Sequence, residues 1–94
     1  MPSQIALVTG AGSGIGRATA LALGRAGFDV ALLGRNPERL ADAAQALARH
    51  SVRTLILEAD VTDALALTAA TARVEAELGP ISVWVNCAGA TGGG

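Results

Sequence analysis

The sequence predicts an α/β fold: a doubly wound parallel sheet with helices on both faces, present as a first half of order βαβαβαβ. Three observations predict it. Short, uniformly apolar runs alternate with stretches of helical period, the connections are short at about two to six residues, and a glycine cluster lies where the first run meets the first periodic stretch. Strands apolar at every position have both faces buried, which in a sheet built by strand–helix–strand crossovers means parallel pairing and right-handed connections.

The first strand is Gln4 to Thr9, stopped by Gly10. A helix follows from Ile15 to Gly27, with Ile15, Ala18, Thr19, Ala22, Leu23 and Ala26 read as its apolar stripe and Gly27 as its stop. Asp29 to Leu33 is the second strand. Asn36 caps the second helix, Pro37 takes its first position, and Leu40, Ala44 and Leu47 form its stripe. Arg53 to Glu58 is the third strand. Thr62 or Asp63 caps a third helix carrying Leu67, Thr71, Val74 and Leu78 on one face, which ends at Gly79 and Pro80. Ile81 to Val85 is the fourth strand, and Thr91 to Gly94 reads as a disordered tail. Residues 1–94 are thus read as the N-terminal part of a single domain.

Composition excludes several classes. Of 94 residues, 51% are apolar and 16% charged, too apolar for a disordered chain. The net charge is −1, and the seven basic residues, all arginine, form no run, so neither nucleic acid nor an anionic membrane is an expected partner. No stretch reaches the roughly 18 apolar residues of a membrane span, and Met1 to Gln4 carries no leader pattern, so the expected location is cytoplasmic. Cys87 is the only cysteine, which excludes an internal disulfide and a multi-cysteine metal site. His50, the only histidine, lies near a helix end and reads as a solvated residue there, not as a catalytic base.

The segment Thr9 to Gly16 gives the glycines physical meaning. Gly10 permits a tight turn, Gly14 lets the backbone approach a pyrophosphate, and Gly16 lets helix and strand pack closely. The N–H groups and positive end of the helix then face an anion without any basic side chain. The spacing differs from G-x-G-x-x-G, because Ile15 stands where that pattern has its last glycine, and a P-loop is excluded because the chain has no lysine. The bland alternative is a glycine turn with no ligand.

The stretch resembles the T-G-x-x-x-G-x-G signature of the short-chain dehydrogenase/reductase family, and the resemblance extends over essentially the whole chain, implying a Rossmann-like fold. It implies cofactor contacts from Gly10, Gly12, Ser13, Gly14, Ile15 and Gly16. It further implies that the Asp60 carboxylate meets the adenine amino group and the Val61 amide meets the ring, against an ordinary loop or capping role for Asp60. Asn86 to Gly89 resembles the family's N-N-A-G with Cys87 in place of the second Asn; by that resemblance Asn86 ties the central sheet together, and Ala88 and Gly89 leave room for the adenosine ribose.

Cofactor choice is read at the end of the second strand. An acid about 20 residues beyond the glycines holds the ribose 2′-OH of NAD in such folds, and here the position is Gly34-Arg35-Asn36. With no carboxylate to repel a 2′-phosphate and Arg35 able to meet one, NADP(H) is expected over NAD(H), by roughly 10- to 100-fold for one charge-assisted contact. Ser13 can add a second hydrogen bond, Asn36 is a cap before it is a ligand, and the alternative for Arg35 is a solvated loop residue.

The family's proton relay resembles nothing in this chain, which has no Tyr and no Lys; Ser3, Ser13, Ser51 and Ser82 all lie in the nucleotide-binding elements. No catalytic residue and no metal site is therefore assigned, and the chain alone is expected to be inactive. The leading reading is the cofactor-binding portion of an NADP(H)-dependent oxidoreductase acting on a small carbonyl or alcohol. The alternatives are a stand-alone nucleotide-binding module and a truncated remnant; the Thr91 to Gly94 ending favours truncation. The fourth strand is expected at an unpaired edge, where Val83, Trp84 and Val85 offer surface for another chain, a homo-oligomer included.

Overall fold

The computed structural model describes residues 4–87. Its elements are β1 (Ile5–Thr9), α1 (Gly14–Arg25), β2 (Asp29–Gly34), α2 (Pro37–Leu47) with a 3₁₀ turn at Ala48–His50, β3 (Thr54–Glu58), α3 (Ala64–Glu77) and β4 (Ile81–Asn86). The expected alternation is present, with boundaries moved by one or two residues. All strand pairs are parallel, in the order β3-β2-β1-β4, so the chain crosses over at β1 before adding β4.

Alternate residues of the buried strands feed two separate cores. Ile5, Leu7, Ala31, Leu33, Leu55 and Leu57 face α3 and pack with Ala70 and Val74. Val8, Val30 and Leu32 face the other way, onto Ala20 of α1 and Leu40, Ala43 and Leu47 of α2. This is why β1 and β2 read as continuous apolar runs, buried on both faces, whereas the equally apolar β4, expected to be buried on both faces too, alternates between half-buried and exposed positions at the edge. In α2 the buried stripe is Leu40, Ala43 and Leu47, with Ala44 half-buried beside it. Asp63, not Thr62, caps α3, its Oδ1 accepting from the Ala66 amide at 3.1 Å. Leu67 and Leu78 are only half-buried against that core.

The stripe read for α1 is corrected. Its buried residues are Gly16, Ala20 and Gly24, whereas Ile15 is 68% exposed and Ala18, Ala22 and Ala26 face solvent. The reason is close approach. A Cβ on Gly16 would overlap the Gly10 carbonyl, and one on Gly24 would overlap the Leu47 side chain, so the face that packs is the one with the smallest side chains. Of the stripe read from the sequence, Leu23 does pack half-buried on that core, and Thr19 is half-buried.

At the end where the strands begin, a polar clamp joins three elements. Asp29, 3% exposed, accepts at Oδ1 from the Arg53 amide (2.8 Å) and at Oδ2 from Arg53 Nε (2.9 Å). The Arg53 guanidinium also donates to the Leu78 carbonyl at 3.1 Å, reaching the end of α3. β4 lies at the edge, where the register to β1 shifts: Ile81 pairs with Ile5 and Val83 with Ala6, leaving Ser82 as an extra residue. Trp84, paired with Leu7, stays 45% exposed. Among the described residues no helix is long and apolar enough to cross a membrane.

Candidate nucleotide-binding site

The ends of β1, β2, β3 and β4 bring the sequence-selected residues to one edge of the sheet. β1 runs into Gly10, whose φ of +66° turns the chain in the left-handed region that favours glycine. Ser13 then caps α1: its hydroxyl accepts from the Gly16 amide (3.1 Å) and donates to the Gly10 carbonyl (2.8 Å). The Ser13 amide also donates to Gly10, at 3.0 Å, and the Ala11 amide donates across to Leu33 of β2 at 3.2 Å. The hydroxyl proton of Ser13 is therefore directed into the turn.

What the turn leaves open defines the site. The amides of Gly12, Gly14 and Ile15 donate to no acceptor among the described residues. Gly14 and Ile15 are the first two residues of α1, where the helix has no internal acceptor for its N–H groups and where its dipole is positive. A Cβ placed on Gly14 would meet nothing within 4 Å, so the turn is open on that side. A helix N-terminus with unbonded amides, no side chain in front and no acid in its first turn is suited to a phosphate group.

Arg35 and Asp60 come together just past β2 and β3, which pair through Gly34 and Glu58. Arg35 Nη1 lies 3.6 Å from Asp60 Oδ2, an exposed contact. Asp60 Oδ1 accepts from both the amide (2.9 Å) and the hydroxyl (2.7 Å) of Thr62. The two Thr62 bonds, amide first, hold the Asp60 carboxyl below the usual aspartate range, with the Arg35 charge acting in the same direction and desolvation opposing. Asp60 is thus a fixed anion in an Asx turn, with its carbonyl taking the Asp63 amide. Val61 packs half-buried on the α3 core, and its amide has no acceptor among the described residues.

Asn86 joins β4 to β1. Its Oδ1 accepts from Thr9 Oγ1 at 2.7 Å, while the Cys87 amide reaches both Thr9 Oγ1 and the Thr9 carbonyl at 3.2 Å. Thr9 is buried, so this link closes the seam between the two strands directly below the glycine turn. Cys87 is a half-buried free thiol against the α1/α2 core. Ala88 and Gly89 lie outside the described residues, as does the expected tail.

Asn36 acts as a cap, its Oδ1 accepting from the amides of Glu38 and Arg39 at 3.1 Å. Beside it an open cleft of about 500 Å³ is lined by Gly12, Arg17, Asn36, Glu38, Arg39 and Asp42. Arg17 and Arg39 were not selected from sequence. Arg39 sits at the third position of an otherwise ordinary amphipathic helix, and only the packing of α2 beside the glycine turn brings it to the site. Among the described residues no group of His, Cys, Asp and Glu can hold a metal ion.

This arrangement is that of a Rossmann-like α/β protein, with the start of α1 at the switch point between β1 and β4. The chain belongs to the short chain dehydrogenase family, whose pattern it matches over residues 4–94. It is 41% identical over 86 residues to 2,3-dihydro-2,3-dihydroxybenzoate dehydrogenase of Bacillus subtilis, covering 92% of this chain and 33% of that protein. In structure it is similar to L-sorbose reductase from Gluconobacter frateurii, solved with NADPH and L-sorbose, with a TM-score of 0.87 and 32% identity over 95% of this chain and 34% of that one. Carveol dehydrogenase from Mycobacterium avium, solved with NAD, gives a TM-score of 0.88 at 26% identity, over 94% of this chain and 36% of that one. The chain thus spans about a third of the length of each of these proteins.

Proposed function

We propose that residues 1–94 are the N-terminal cofactor-binding part of an oxidoreductase that moves a hydride between NADP(H) and a small carbonyl or alcohol. The observation that carries this reading is the pair of amides at Gly14 and Ile15 that meet no acceptor among the described residues at the start of α1, beside a glycine whose Cβ position is open. The cofactor supplies the hydride; the chain's own residues bind and orient it. Gly12, Gly14 and Ile15 donate to the pyrophosphate, with Gly10 and Gly16 shaping the turn and Ser13 holding it. Asp60 and Val61 take the adenine, and the Asn86 to Gly89 segment flanks its ribose. NADP(H) is favoured over NAD(H) because the end of β2 offers arginine and no acid.

A chain without Tyr or Lys has no hydroxyl–ammonium pair to assist hydride transfer, so by itself it binds the nucleotide and does not turn over. Calorimetric titration tests the reading. NADPH is expected to bind at least about 10-fold more tightly than NADH, with no oxidation of NADPH by the 94-residue chain in the presence of a carbonyl compound. Absence of binding to either nucleotide refutes it.

A further inference from the structure

We infer that Arg39 is a specificity-determining residue that binds the 2′-phosphate of NADP(H), a role that sequence reasoning assigns to Arg35. The inference rests on the nucleotide-binding reading above and concerns which guanidinium does the discriminating.

Gly12 occupies a variable position of the family-like signature, so the phosphate turn itself does not demand glycine there. The structure supplies another reason: a Cβ on Gly12 would stand 3.0 Å from Arg39 Cβ and 3.8 Å from Arg39 Cδ. Without that carbon, the Arg39 stem lies along the glycine turn, and the residue lines the cleft between Gly12 and Asn36. The first turn of α2 is fixed there, because the Arg39 amide itself donates to Asn36 Oδ1.

The charges around the cleft are divided unequally. Arg17, its other cation, is bound to Asp42 at 2.9 Å, which ties α1 to α2 and occupies the acid one helical turn from Arg39. Arg35 lines no part of this cleft and turns instead to Asp60, at the end of β3. Arg39 has no ion pair among the described residues, and neither has Glu38, the remaining acid of the cleft. Of the two cations near the end of β2, the one beside the unbonded amides of the glycine turn is therefore also the one without a carboxylate partner. A 2′-phosphate seated in the cleft between Gly12 and Asn36 meets Arg39 without displacing an ion pair of that residue, whereas at Arg35 it must compete with Asp60.

The test compares Arg39→Gln with Arg35→Gln in the full-length protein, titrated with NADPH, NADH, 2′,5′-ADP and 5′-AMP. Arg39→Gln is expected to weaken NADPH and 2′,5′-ADP about 10-fold and to change NADH and 5′-AMP by less than about 2-fold. Arg39→Lys, which keeps the charge on a similar stem, is expected to restore most of the loss. Circular dichroism melting checks that each variant folds. If Arg39→Gln leaves the NADPH/NADH ratio unchanged while Arg35→Gln removes it, the inference fails and the nucleotide reading stands. If the wild-type protein binds neither nucleotide, or both equally, the reading fails and the inference falls with it.

Discussion

At the end of the sheet where the strands begin, Asp29 is enclosed and every oxygen of its carboxylate is engaged by Arg53, which in turn holds the end of α3. At the opposite end, where the strands stop, the amides of Gly14 and Ile15 meet no acceptor among the described residues, Arg35 and Asp60 form an exposed contact at 3.6 Å, and the Arg39 guanidinium has no ion pair among the described residues. The same four-stranded frame thus carries a satisfied polar cluster at one edge and an unsatisfied one at the other. Satisfied groups stabilise the chain and are closed to ligands; groups that would bind a ligand contribute little until it arrives.

The sharpest way to break this contrast is Asp29→Ala. It removes three donors' acceptor at a buried site and is expected to destabilise the fold by about 3 kcal/mol, read by urea denaturation, with nucleotide affinity of the folded fraction unchanged. A loss of affinity without loss of stability would show that the clamp end belongs to the site.

Two glycines sharpen the comparison within the open end. Gly16→Ala drives a methyl into the Gly10 carbonyl and is expected to cost about 2 kcal/mol in stability together with nucleotide binding. Gly14→Ala meets no protein atom, so its stability is expected to change by less than about 1 kcal/mol while NADPH affinity drops about 10-fold. Equal effects of the two substitutions on stability would contradict the open space assigned to Gly14.

The smallest expected effect is in pH. Asp60 has a folded pKa below its unfolded value, so whatever its ionised form contributes is fully present above the unfolded value and is lost as pH falls through the folded one. The affinity for the nucleotide is expected to hold as pH is lowered from neutrality towards the ordinary aspartate range, with any acid limb due to Asp60 displaced below that range and absent in Asp60→Asn. A decline centred near pH 6 would assign it to another group.

Much of this was legible in the residues. The alternation of strands and helices, Asn36 as a cap and the turn at Gly10 follow from patterns confined to neighbouring positions, where local chemistry decides. The buried face of α1 was not legible, since it is chosen by how closely the helix meets a carbonyl and a leucine from other elements. The Asp29–Arg53 clamp depends on the pairing of Val30 with Thr54, a register no local pattern states. For the same reason the Arg35–Asp60 contact and the approach of Arg39 to Gly12 emerge only once β2, β3 and α2 are set side by side.

Ser13 has a further consequence. Because its hydroxyl donates to the Gly10 carbonyl and accepts from the Gly16 amide, the shape of the loop is held by the fold's own hydrogen bonds. For the proposed nucleotide this leaves little backbone disorder to quench, so the entropic penalty of association would fall mainly on the ligand and on exposed arginine side chains. Substituting Ser13 would then act as a loosening of the receptor before binding, felt alike by every dinucleotide.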